Sequence, residues 1–209
     1  MDEQYWESFY LKQNISLQPS LFAEYVVKKL IKNKRTIVEL GCGNGRDAIY
    51  FANNNLNVLA IDLCKSEIDY LKNHYTLIKN LTFLNADFSE LDGDLNCDIV
   101  YSRFSLHSIS SEKEKRVLQW TYNSLNPDGI LCIEVRGLKN EIYGKGRPVK
   151  NEENAYLYNK HYRRFIRLDA FCDQLISLGF RIEQSEEKKG FAPYNKLNET
   201  FIRVIARKK

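Results

Sequence analysis

The ten residues VELGCGNGRD, positions 38–47, constrain this chain more than any other stretch. An apolar run ends in glycines at 41, 43 and 45, and a helical pattern follows over 47–53. Alternating glycines let the backbone turn sharply and approach a ligand closely, so the segment reads as a strand turning into a helix beside a nucleotide. Short β-branched runs alternate with amphipathic segments through the rest of the chain, which predicts a mostly parallel sheet with helices on both faces.

Strands are expected at 36–40, 57–61, 81–85, 97–102, 130–135, 180–185 and 200–206, with helices starting near Ser20 and over 65–75, 111–125 and 168–178. The third of these helices is read as opening on a capping box at Ser111 and closing at the turn Asn126-Pro127-Asp128-Gly129. The last two strands read as a hairpin, which makes the final strand antiparallel. A chain of 209 residues, 44% apolar, supports one core, so residues 1–209 are expected to form a single domain. Two segments break the rhythm: 1–19, read as an N-terminal lid or a capping segment, and 137–167, read as an inserted substrate cap.

The glycine turn departs from a dinucleotide fingerprint, because Arg46 stands where a small third residue is wanted. Glu39 ends the first strand, and a carboxylate beside a pyrophosphate costs about 4 kcal/mol at intermediate dielectric. NAD is therefore disfavoured, and a cationic, phosphate-free nucleoside is favoured. S-adenosyl-L-methionine, with S-adenosyl-L-homocysteine as product, meets that description. Glu39, Gly41, Gly43, Gly45 and Asp62 are expected to bind it, Asp62 through the ribose hydroxyls. Asp87 is read as the partner of the adenine amino group and Phe88 as a ring over the base. Tyr10, Arg46, Leu63 and Ser102 complete the expected cofactor set.

On these residues the chain resembles the class I S-adenosylmethionine-dependent methyltransferases, whose first motif is E/D-x-G-x-G-x-G. The runs IDLCKSEIDYL and LNADFSEL are similar to that family's acidic and adenine-binding segments, and CDIVYSRFSLHSI and LNPDGILCIEV to its fourth and fifth strands. The resemblance covers residues 20–136 closely and the terminal hairpin loosely. It implies a Rossmann-like, doubly wound α/β sheet of seven strands in the order 3-2-1-4-5-7-6, with strand 7 antiparallel.

For the methyl acceptor, His107, His161 and Glu134 are the candidate bases; a hydrogen-bonded cap or surface residue is the competing reading of each. Arg103, Arg136, Lys145, Arg147, Tyr162, Arg163 and Arg164 gather around the expected acceptor face and point to an anionic substrate. Gly144-Lys145-Gly146-Arg147 reads as a phosphate nest or as a hinge. The runs EVR, GKG and HYRRF resemble methyltransferase-like proteins of bacterial surface-polysaccharide gene sets, which implies a phosphorylated or nucleotide-linked sugar precursor. The CGNGRD box resembles tellurite-resistance and thiopurine methyltransferases, so a sulfur or chalcogen acceptor stays open, as does a non-catalytic cofactor-binding subunit. Nucleic acid is not expected, since the net charge of +4 is scattered and Ser102-Arg103-Phe104-Ser105 replaces the base-methylating signature. Five cysteines without a CxxC spacing suggest reduced thiols, a cytoplasmic setting and no metal, and no apolar run spans a membrane. Oligomeric state is not encoded in any motif.

Overall fold

The computed structural model describes residues 5–7 and 17–209. Helices are α1 (Leu21–Lys29), α2 (Arg46–Asn53), α3 (Lys65–His74), α4 (Ser111–Ser124) and α5 (Leu168–Ser177). Strands β1 (Thr36–Leu40), β2 (Asn57–Asp62), β3 (Leu81–Asn85), β4 (Cys97–Arg103), β5 (Leu125–Val135), β9 (Phe180–Lys188) and β10 (Phe201–Lys208) form one sheet in the order β3-β2-β1-β4-β5-β10-β9. Strand β10 runs antiparallel to both its neighbours, β5 and β9. This is the order and direction the sequence implies, with three short strands intervening in the numbering.

Period-two alternation sends each strand's apolar residues to two cores. Val38, Leu40, Val100, Leu131 and Ile133 face one cluster, with Trp120 of α4 and Phe171 of α5. Ile37, Ile99, Tyr101, Ile130 and Cys132 face the other, with Phe22 of α1, Phe51 of α2 and Leu71 of α3. Each large side chain so buried stabilises the fold by about 1.5–3 kcal/mol.

Three local expectations change. The N-cap of α4 is Ser110, which accepts from the Lys113 N–H, because its extended backbone (φ −65, ψ 162) leaves the hydroxyl over the first turn. Strand β5 begins at Leu125, so the Asn126–Gly129 turn is absorbed into an irregular strand start, with Asp128 at φ 59. The insert carries a small antiparallel sheet, β6 (Arg147–Pro148), β7 (Ala155–Tyr158) and β8 (His161–Arg164).

The chain winds outward through β1, β2 and β3, then crosses back to β4. That reversal opens a crevice at the carboxyl ends of β1 and β4, the place where open α/β sheets hold ligands.

Candidate functional site

At that crevice lies a cavity of about 620 Å³. Its floor is the glycine turn. Gly41 takes φ 79 and a Cβ there would collide with the Ser105 hydroxyl, so only glycine lets the turn pass under the β4 loop. Gly45, at φ 74, caps α2, and a Cβ would press within 3.0 Å of Leu71. The Gly43 N–H donates to Asp62 Oδ2 at 2.8 Å and the Cys64 N–H to Oδ1 at 2.9 Å, fixing the carboxylate at the end of β2. Burial pushes the Asp62 carboxyl up, against the opposing effect of these amide bonds. Each oxygen keeps lone pairs for a further donor.

Glu39 is 3% exposed and lines the cavity, and its Oε2 has no hydrogen-bond partner among the described residues. Burial first, then the nearby Asp47 charge, raises its carboxyl well above the ordinary carboxylate range. A buried carboxylate oxygen left without a donor is costly, and a ligand ammonium would satisfy it. Asp47, the neighbour, is consumed internally. It accepts from the Ser20 N–H and hydroxyl, both at 2.7 Å, and from the Tyr101 hydroxyl at 2.8 Å. This network ties the start of α1 to the glycine turn.

The other side of the cavity carries His107, His161, Arg103, Arg136 and Arg163. His107 is buried, and its Nδ1 accepts the Arg136 N–H at 3.4 Å, which leaves the proton on Nε2. Burial and then the Arg136 charge hold it neutral, well below the usual histidine range. His161, on β8, is buried with Nδ1 unpartnered among the described residues, and burial with the charges of Arg163 and Arg136 depresses it to about 3. Tyr5 stacks on its ring at 4.1 Å and Trp6 meets it edge-on at 5.0 Å. Glu7, one residue on, accepts from Ser66 at the start of α3, so residues 5–7 bridge the cofactor side and the insert.

Three of the expected cations are already paired. Arg103 bonds Glu134 at 2.9 Å, Arg136 bonds Glu199 at 2.7 Å, and Arg164 is buried against Glu114. Arg163 differs: it donates to the Tyr158 carbonyl, and among the described residues no carboxylate pairs with it. Burial pushes its guanidinium below the usual value.

Several sequence expectations are corrected. Glu134 is no base, because it is fully buried and both oxygens are held by guanidinium groups, Arg103 on one and Arg203 on the other. Asp87 does not line the cavity. It accepts from the Ser89 N–H and hydroxyl and pairs with Lys113; although burial pushes its carboxyl up, these partners outweigh it and hold it low. Arg164 points into its Glu114 pair rather than the cavity. Lys145, Arg147 and Tyr162 also lie off the cavity wall, so the expected nest does not contribute to it, nor do Leu63 and the fully buried Ser102. Tyr10 lies outside the described residues. Arg46 and Phe88 do line the cavity.

Sequence reasoning missed Arg203, whose guanidinium stacks on Phe22 at 4.5 Å and Phe191 at 4.1 Å while gripping Glu134. It also missed Phe104, which takes φ 60 after β4 and stacks on Phe201 at 4.6 Å inside the cavity. Holding a non-glycine residue there costs about 1–3 kcal/mol. The loop of 190–199, which supplies Tyr194, Leu197 and Glu199, carried no motif at all.

Residues 37–129 match the model of a family described as a methyltransferase domain. A carboxy-S-adenosyl-L-methionine synthase of Campylobacter jejuni is 23% identical over 139 residues, 64% of this chain and 56% of that protein. The chain thus spans about half the length of the curated relatives it matches. In structure it is similar to the Burkholderia thailandensis 1,6-didemethyltoxoflavin-N1-methyltransferase with bound 1,6-didemethyltoxoflavin and S-adenosylhomocysteine. That match has a TM-score of 0.69 at 22% identity and covers 91% of this chain and 79% of that one. It is also similar to the 4+2 cyclase SpnF, with a TM-score of 0.70 at 16% identity over 99% of this chain and 94% of that one. These likenesses establish the fold; a cyclase among them means the fold leaves the reaction open. Among the described residues no helix is long and apolar enough to cross a membrane, and no group of metal-ligating side chains is found.

Proposed function

We propose, from the premise that this chain carries a methyltransferase domain on the class I methyltransferase fold, that it binds S-adenosylmethionine and methylates a small anionic acceptor. The observation that carries this reading is Glu39: a buried carboxylate oxygen without a donor, facing a glycine turn, suits the ammonium of an amino-acid tail. Asp62 would take the ribose hydroxyls, and Phe88 would cover the base.

S-adenosylmethionine would supply an activated methyl group on its sulfonium. The protein then has to exclude water and hold the acceptor in line, which is worth up to about 7–11 kcal/mol. His107, a donor through Nε2, orients the acceptor. His161 offers the open Nδ1, but at about 3 it is too weak a base to strip a neutral hydroxyl. An acceptor atom that is already unprotonated fits better. An anion seated on Arg163 would also offset that charge and return basicity to His161.

A sugar phosphate is the finer form of this reading, and Arg163 is its support. A second reading comes from the same residue: the carboxyl group of a carboxy-S-adenosyl-L-methionine, the product in the Campylobacter relative's name, would also meet Arg163, which has no carboxylate partner among the described residues. The test is calorimetry with S-adenosylhomocysteine and NADH, followed by mass spectrometry of the nucleoside products. Tighter NADH binding would refute the cofactor. A carboxylated S-adenosylmethionine would replace methyl transfer by the second reading.

A further inference from the structure

Once internal pairs are subtracted, the acceptor half of the cavity has an uneven character. Glu199 is taken by Arg136, Glu134 by Arg103 and Arg203, and the side-chain Oδ1 of Asn198 by the Gly190 N–H. Facing inward are the two histidines, a set of apolar rings and chains, and the Arg163 guanidinium, which hydrogen-bonds the Tyr158 carbonyl and Tyr5 but meets no carboxylate among the described residues. Among the latter, Tyr194 is 70% exposed and Leu197 62% exposed, yet both belong to the cavity lip. They are held there firmly. Each donates its N–H to the other's carbonyl at 2.9 Å, with Asn195 at φ 52 closing the tight turn between them. Leu21, 48% exposed, joins the same lip. Behind it, Phe104 is kept in its unusual backbone conformation with its ring on Phe201.

Large apolar side chains fixed in water beside a cavity are a contact surface awaiting a partner. We propose that the acceptor is an amphiphilic small anion: an aromatic or branched apolar body against Tyr194, Leu197 and Phe104, with a carboxylate or phosphate on Arg163. The proposal rests on the methyltransferase reading and narrows its substrate class. Guanidinium and carboxylate pair bidentately, so removing the charge from either partner should weaken binding by about tenfold or more.

The experiment is calorimetry on the full chain saturated with S-adenosylhomocysteine, using 3-phenylpropionate, 3-phenylpropanamide, phenyl phosphate, acetate and glucose 1-phosphate as probes. The acid and phenyl phosphate should bind about tenfold tighter than the amide and acetate. Arg163→Gln should abolish the preference of acid over amide, and Arg163→Lys should keep part of it. Tyr194→Ala combined with Leu197→Ala should weaken acid and amide alike, with S-adenosylhomocysteine affinity unchanged. Glucose 1-phosphate binding tighter than 3-phenylpropionate overturns the proposal in favour of a polar acceptor. Equal affinity for acid and amide, or no binding of the aryl probes at about 10 mM, also overturns it. Failure of the unmodified protein to bind S-adenosylhomocysteine is a separate readout, and refutes the cofactor reading instead.

Discussion

Replacing Glu39 by glutamine is expected to move stability and cofactor affinity in opposite directions. In the ligand-free protein the carboxylate is buried, lacks a donor on Oε2 and lies near Asp47. Leaving such a group unsatisfied costs about 1–3 kcal/mol, so a neutral amide of the same shape should stabilise the apo protein by about 1 kcal/mol. For a chain of this size that raises Tm by about 2–4 °C. The gain depends on pH. Because the folded carboxyl is raised above its unfolded value of about 4.3, the native state keeps its proton longer than the unfolded chain. Unfolding therefore releases a proton, and the wild type loses stability as pH climbs from about 4.3 toward the raised value. Glu39→Gln lacks this loss, so its advantage widens with pH and is absent under acid. Affinity goes the other way. A charge-assisted hydrogen bond to the ligand ammonium contributes about 1.5–3 kcal/mol, so S-adenosylhomocysteine should bind about 10- to 150-fold more weakly. Differential scanning fluorimetry from pH 4 to 8, with calorimetry at pH 7.5, reads both quantities. A lower Tm at pH 8 together with unchanged affinity would refute the reasoning.

Three further outcomes are expected. Glu134→Gln should destabilise by about 3–5 kcal/mol in urea titration, since it leaves two guanidinium groups with a neutral partner; a change under 1 kcal/mol would mean the Arg103–Glu134–Arg203 cluster is dispensable. His107 and His161 are neutral in the fold but take protons near pH 6.5 when unfolded, so stability should fall as pH drops through that value, by about 1.4 kcal/mol for each at pH 5.5. His161→Gln should remove one histidine's share of that slope, and an unaltered slope would place the titration elsewhere. Gly41→Ala, forced to φ 79 against Ser105, should lose about 1–3 kcal/mol of stability and its S-adenosylhomocysteine binding; a variant that binds normally would show the turn to be more accommodating than its geometry indicates.

The family resemblance implied the sheet order, and the sequence by itself determined the strand, turn and helix pattern and the place of the glycine turn and its carboxylates. These rest on short-range signals: Gly41, Gly43 and Gly45 at the end of one apolar run, and Asp62 at the end of the next. Tertiary structure decided which charges are available. Arg103, Arg136 and Arg164 look alike in sequence, yet each is taken by a carboxylate 31, 63 or 50 residues away. Glu134, read as a base, is closed between two arginines, one of them 69 residues distant. Asp87 was legible as a carboxylate at the end of β3, but its pairing with Lys113 of α4 was not. The apolar lip at Tyr194 and Leu197 was equally silent, because exposure beside a cavity leaves no periodic trace. Local period and turn chemistry are written along the chain; the satisfaction of a buried charge depends on which distant partner the fold brings against it.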